Sequence, residues 1–138
     1  MRVIRLLLVD DESRYVETLS KRLTARGLYV EGVHSGKEAV AVLENRPFDV
    51  VLLDVRMPGM DGIATLREIK KIQPLVQVVL LSGNASINAA IEGMRLGAMD
   101  YLLKPADLED VLAKVEEAFE KKGAEEARNR EEKRAPGK

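Results

Sequence analysis

Short apolar runs alternate along this chain with stretches in which apolar residues recur every three to four positions. The runs cover residues 4–9 (IRLLLV), 29–33, 50–53, 76–81 and 100–103. Each is short, and Gly, Pro or acidic residues bound several of them, as expected of buried strands. Between them the period becomes helical. Val16, Leu19 and Leu23 share one face, as do Ile63, Leu66 and Ile69. Ile87, Ala90, Ile91 and Met94 follow the i, i+3, i+4, i+7 spacing of an amphipathic helix, and Leu108, Val111, Leu112, Val115 and Phe119 form a last stripe. Punctuation agrees with the pattern. Gly27 and Gly97 stand where helices should stop, and Ser35 to Glu38 has the form of a capping box at the start of a helix that runs to about Asn45, ahead of Pro47. Pro74 closes the third helix.

Five strands alternating with five helices predict an α/β fold: a parallel sheet covered on both faces, with right-handed crossovers. Alternation leaves the strand order open. The order 2-1-3-4-5 is one of two common solutions, and it sets the ends of the first and third strands side by side. From Gly123 the sequence becomes AEEARNREEKRAPGK, charged in both signs and without an apolar stripe. The expected organisation is therefore one domain over residues 1–122 and a charged tail over 123–138, partly helical or disordered and frayed from Pro136.

Composition narrows the function. At 138 residues the chain has the size of one ordinary domain. Its 22 basic and 23 acidic residues leave a net charge of −1, so no overall basic field attracts nucleic acid. The absence of cysteine removes disulfides, zinc thiolate sites and thiol catalysis. The first apolar run is too short to span a membrane and carries no cleavage site, which gives the expectation of a cytoplasmic protein without membrane contact.

The candidate chemistry lies at the carboxyl ends of the strands, where open α/β sheets bind ligands. Asp10 and Asp11 follow the first strand, Asp54 ends the third, Ser82 the fourth, and Lys104 and Pro105 follow the fifth. Each alone has a plainer explanation: an acid that caps a turn, a turn hydroxyl, a solvated lysine. Together, clustered carboxylates offer the hard oxygen ligands that suit Mg²⁺, with Lys104 as a second positive charge facing a transferring phosphoryl group. The lone His34 offers no softer ligand set. Asp54 then becomes the candidate nucleophile of an aspartyl phosphate.

These residues resemble the receiver domain of bacterial two-component response regulators. The resemblance covers about residues 3–122 and is carried by Asp10-Asp11, by the context Leu53-Asp54-Val55-Arg56-Met57-Pro58-Gly59-Met60-Asp61-Gly62, by Ser82, Tyr101 and Lys104-Pro105, with wording closest to receivers of the nitrogen-regulation type. It implies a three-layer α-β-α, flavodoxin-like (βα)5 fold with strand order 2-1-3-4-5. It implies phosphorylation at Asp54 and Mg²⁺ held by Asp10, Asp11, Asp54 and the main-chain carbonyl of Arg56. Ser82 takes the switch hydroxyl position, Tyr101 the switch aromatic position, and Lys104 pairs with the phosphate ahead of a cis bond to Pro105. Arg56 and Asn84 occupy positions that tune phosphate loss, while Gly59 and Gly62 are expected to serve the turn.

The implied partners are a histidine kinase or phosphotransfer protein and a downstream target; the resemblance also allows a homodimer through the face of helix four, strand five and helix five. No effector domain is expected within the chain, and no catalysis beyond the receiver's own phosphorylation and dephosphorylation. Two other classes fit less well. A haloacid-dehalogenase-type phosphatase needs a second acid where Arg56 stands, and a nucleotide or flavin binder of this fold lacks support from a Walker A or G-x-G-x-x-G turn. A receiver-shaped module that works without phosphorylation is the remaining alternative.

Overall fold

The computed structural model describes residues 2–56, 62–83 and 86–134. The expectations for Gly59 and Asn84, for Met57 to Asp61 of the central motif, and for fraying from Pro136 lie outside the described residues. Among the described residues, ten elements follow in strict alternation: β1 (Arg5–Val9), α1 (Ser13–Ala25), β2 (Tyr29–Val33), α2 (Gly36–Asn45), β3 (Val50–Asp54), α3 (Gly62–Ile72), β4 (Gln77–Ser82), α4 (Ile87–Arg95), β5 (Asp100–Leu103) and α5 (Leu108–Arg134). The strands form one parallel sheet in the order β2-β1-β3-β4-β5. This is the flavodoxin-like α-β-α architecture expected from the sequence.

In β1, β3 and β4 the apolar runs are nearly continuous because both faces of the sheet are buried there. Successive strand residues point to opposite faces, and the core divides accordingly. Leu7, Val9, Val51, Leu53, Val78 and Leu80 meet Ala39 and Leu43 of α2, Leu66 and Ile69 of α3 and Ala90 of α4. Leu6, Leu8, Val50, Leu52, Val79 and Leu81 meet Val16, Leu19 and Leu23 of α1 and Val111, Leu112, Val115 and Ala118 of α5. With several large aliphatic side chains fully buried on each side, each contributing ~1.5–3 kcal/mol of transfer free energy, the middle of the sheet is the rigid part of the molecule.

Helix ends follow the local signals. After α1, Gly27 takes φ +95° while its N–H reaches the Thr24 carbonyl; Gly97 takes φ +112° after α4. At the start of α2, Ser35 Oγ accepts from the Glu38 N–H at 3.1 Å, the first half of the predicted capping box. The Glu38 carboxylate reaches one residue further back than such a box requires, to the His34 N–H at 3.2 Å.

Two elements depart from the pattern. In α4 the buried residues are Ala90 and Gly93, whereas Ile91 and Met94 are exposed. A side chain at Gly93 would run into Leu80 and Ile63, so the helix approaches the sheet along its smallest residues and its larger apolar side chains turn outward. Helix α5 continues without a break across Gly123 to Arg134, 27 residues in all. Beyond Lys122 this helix has no apolar stripe, but polar contacts anchor its root: Gln77 Nε2 donates to Glu125 Oε1 at 3.0 Å, and Lys122 bonds to Asp49 at 3.0 Å and to Glu126 at 3.1 Å. Among the described residues, no helix is long and apolar enough to cross a membrane.

Candidate phosphoacceptor and metal site

The site stands at the carboxyl ends of β1, β3, β4 and β5. Pairing of β1 with β3 through Val9 and Leu53 brings Asp10 and Asp54 together at the next position of each strand. Both acids are buried, Asp10 completely, while Asp11 on the following turn is exposed. One carboxylate oxygen from each of Asp10, Asp11 and Asp54 falls within 4.8 Å of the others, a cluster of hard donors with the makings of a divalent cation site.

Each buried acid also has a local tether. Asp10 Oδ1 accepts the Glu12 N–H at 2.9 Å, and Asp54 Oδ1 accepts the Arg56 N–H at 3.0 Å, both two residues on in the manner of an Asx turn. Gly62 seals the end of β3 from above. A Cβ there would lie 2.5 Å from the Val55 Cα and 2.8 Å from the Asp54 carbonyl oxygen, so the close approach of backbone to backbone is what demands glycine.

Lys104 enters from the far side of β4. Its N–H bonds to the Ser82 carbonyl at 2.8 Å, its peptide bond to Pro105 is cis, and its ammonium is largely covered. Nζ donates to Asp10 Oδ2 at 2.5 Å and to Glu12 Oε1 at 3.2 Å, and lies 3.7 Å from Asp54 Oδ2. The ring of Tyr15 completes its surroundings, with the centroid 4.5 Å from Nζ. Ser82 is fully buried and donates its hydroxyl to the Gly83 carbonyl at 2.9 Å. Tyr101 on β5 is half-buried against the core formed with α2, α3 and α4.

The electrostatics follow from crowding. Burial pushes the Asp54 carboxyl up to about 6; the Arg56 N–H opposes this, Asp10 and Asp11 add to it, and Lys104 opposes it. For Lys104, burial disfavours the ammonium, but the hydrogen bond to Asp10, the charges of Asp10 and Asp54 and the bond to Glu12 outweigh it and push its pKa up. Lysine therefore stays charged while the acid beside it resists ionisation. That is the state expected of a carboxylate cluster short of positive charge.

All the sequence-predicted positions that are described converge here except Tyr101, whose side chain packs one layer away. Glu12 and Tyr15 were not singled out by sequence reasoning. Their signal was positional: both fall on the turn entering α1, within five residues of Asp10, where side chains can reach back over the strand end.

Comparison with known proteins agrees with this geometry. Residues 6–116 match the family described as response regulator receiver domain. The chain belongs to that family. It is similar to the transcriptional regulatory protein ZraR of Escherichia coli O157:H7, 41% identical over 116 residues, which are 84% of this chain and 26% of that protein. It is 39% identical over 111 residues to the DNA-binding transcriptional regulator NtrC of Salmonella typhimurium, covering 80% of this chain and 24% of that one. This receiver thus spans about a quarter of the length of such relatives. Among solved structures, a response regulator receiver domain protein from Clostridium thermocellum superposes with a TM-score of 0.84 at 34% identity, over 88% of this chain and 98% of that one. The chain is accordingly a receiver domain of the two-component type, with its acidic cluster in place at the sheet edge.

Proposed function

We propose that this receiver accepts a phosphoryl group on Asp54 from a phosphohistidine of a histidine kinase or phosphotransfer protein, or from a small phosphodonor. The observation that carries this reading is the convergence of Lys104 with Asp54 and Asp10, from strands more than forty residues apart in sequence, on one buried acidic cluster. In the forward step an Asp54 carboxylate oxygen bonds to phosphorus as the bond from phosphorus to the donor nitrogen breaks, and the imidazole leaves with the electron pair. Hydrolysis reverses the outcome when water attacks the acyl phosphate and inorganic phosphate departs. The chain catalyses nothing beyond its own phosphorylation and dephosphorylation.

Asp10, Asp11, Asp54 and the main-chain carbonyl of Arg56 are the groups that would hold Mg²⁺. The clustered hard oxygens fit that ion, which when bound neutralises charge on the phosphoryl oxygens and favours ionised Asp54. Lys104 stays protonated and donates to the transferring group. In this reading Ser82, at the end of β4, releases the Gly83 carbonyl to bond a phosphoryl oxygen, and Tyr101 follows it inward. This biases the face formed by α4, β5 and α5 toward a downstream partner or a second copy of the chain. Moving such an equilibrium from 1:99 to 99:1 needs ~5.5 kcal/mol of differential binding, more than one charge-assisted hydrogen bond supplies, so Ser82, Lys104 and the cation must act jointly. We place the protein in the cytoplasm, with no direct nucleic-acid contact by this domain.

The test is intact mass after incubation with acetyl phosphate and Mg²⁺. Wild type should gain one phosphoryl group and Asp54→Asn none. An undiminished gain in the variant would overturn the assignment.

A further inference from the structure

Lys104 is held by more than its carboxylates. The Tyr15 ring, on the first turn of α1, has its centroid 4.5 Å from Lys104 Nζ, within the ~6 Å over which the electron-rich face of an aromatic ring attracts an ammonium. The phenol oxygen takes no visible part in placing that ring. It is buried and has no hydrogen-bond partner among the described residues. Packing places it instead: Tyr15 lies against the core shared by β1, β3, α1 and α5. A small cavity of about 80 Å³ adjoins it, lined by Thr18, Leu19 and Arg22 of α1 and by Ala106 and Leu108 just beyond Lys104. The ring is therefore the partition between that hollow and the lysine. Were it truncated, the lysine arm would gain room to leave the carboxylates.

We propose that Tyr15 is a positioning residue for phosphoryl transfer, its ring face confining the Lys104 ammonium over Asp10 and Asp54. The role rests on Asp54 being the phosphoacceptor. With acetyl phosphate as donor, an Asp54 oxygen bonds to phosphorus while the bond from phosphorus to the acetyl oxygen breaks and acetate leaves with the electron pair. The confined ammonium donates hydrogen bonds to the phosphoryl oxygens throughout and transfers no proton. Because the ring and not the hydroxyl does this, phenylalanine should serve as well as tyrosine. Loss of a buried, unpartnered hydroxyl should also leave the fold at least as stable.

The experiment uses the full chain with Mg²⁺ and acetyl phosphate, and reads the initial rate of mass gain. Tyr15→Leu should slow phosphorylation about fivefold, equivalent to roughly 1 kcal/mol of barrier. Tyr15→Phe should stay within about twofold of wild type, with a thermal midpoint equal or higher. A second reading is independent of phosphate. The Lys104 side-chain proton resonances should carry an upfield ring-current shift in wild type and Tyr15→Phe and lose it in Tyr15→Leu; Tyr15→Met takes its place should the leucine variant fail to fold. Equal rates for wild type and the non-aromatic variant would overturn the proposal, as would a Tyr15→Phe variant as slow as Tyr15→Leu. Wild type that takes up no phosphate defeats the phosphoacceptor assignment and the positioning role together, whereas phosphorylated wild type matched by an equally fast Tyr15→Leu defeats the positioning role alone.

Discussion

The two ends of the sheet each bury an aspartate beside a lysine, and the pairs are built to opposite purposes. At the amino edge Asp49 is almost fully buried and is answered on all sides. Arg5 N–H donates to Oδ2 at 2.8 Å, Lys122 Nζ to Oδ1 at 3.0 Å, and Arg2 adds a third donor at 3.3 Å. Glu126 closes the network against Lys122 and Arg2, so two acids face two bases. At the carboxyl edge Asp10, Glu12 and Asp54 share Lys104 as their one cationic partner among the described contacts, and Asp11 joins the acidic cluster with no cation of its own among those contacts. A buried charge is tolerable when paired and costly when not. The first end is satisfied and therefore structural. The second is left deficient in positive charge, the imbalance that the proposed cation and phosphoryl transfer would draw on.

The widest separation between the two ends should come from Asp49→Ala. It leaves the Arg5 amide without its acceptor and Lys122 with Glu126 alone, and chemical denaturation should show a loss of about 3 kcal/mol, while phosphorylation of the surviving folded protein stays within about twofold of wild type. A comparable loss of phosphorylation would show that the ends are not independent.

Asp54→Asn should move stability the other way. The Asp54 carboxyl titrates near 6 in the fold, above an ordinary value of 3.8. Its contribution to stability is therefore fully present below about pH 3.8 and is lost as pH rises through 6. Burial is the main cause; Asp10 and Asp11 add to it, while the Arg56 amide and Lys104 oppose it. In metal-free buffer at pH 8 the asparagine variant should be more stable than wild type by up to about 3 kcal/mol, with the gap closing below pH 4. Denaturation across that range checks it, and a gap independent of pH would mean that burial of the charge is not the cause.

The smallest effect is expected at the root of the α5 extension. Glu125→Ala removes the acceptor of Gln77 Nε2, although Gln77 keeps the Leu75 carbonyl at 3.0 Å. It should cost about 1 kcal/mol or less, seen as faster amide hydrogen exchange over residues 123–134 with the sheet unchanged.

Much of the architecture was legible because the sequence encodes it twice, once in period and once in punctuation. Strands β2 and β5 and the ends of α2 fall where the runs, Ser35 and Asn45 predict. The stripe of α4 misled. Periodicity counts apolar residues and weighs Ile91 and Met94 heavily, whereas packing chose the face where Gly93 permits contact with Leu80. The charged segment after Lys122 offered no apolar stripe to read, because polar contacts hold its root instead: Gln77 reaches Glu125, and Arg2 and Lys122 reach Glu126.

Alone, the sequence determined the kinds of element, their alternation, and the set of acids, hydroxyl and lysine at strand ends, since those depend on neighbours within a few residues. It left strand order open between two arrangements, and only the tertiary structure decided it, by pairing β1 with β3 and so setting Asp10 beside Asp54. Tertiary structure also decided what surrounds Lys104. Ninety-four residues separate that lysine from Asp10, and no local rule ties it to Glu12 or to the Tyr15 ring. Distances of that kind are set by how layers pack, and the charge imbalance at the site exists only once they have.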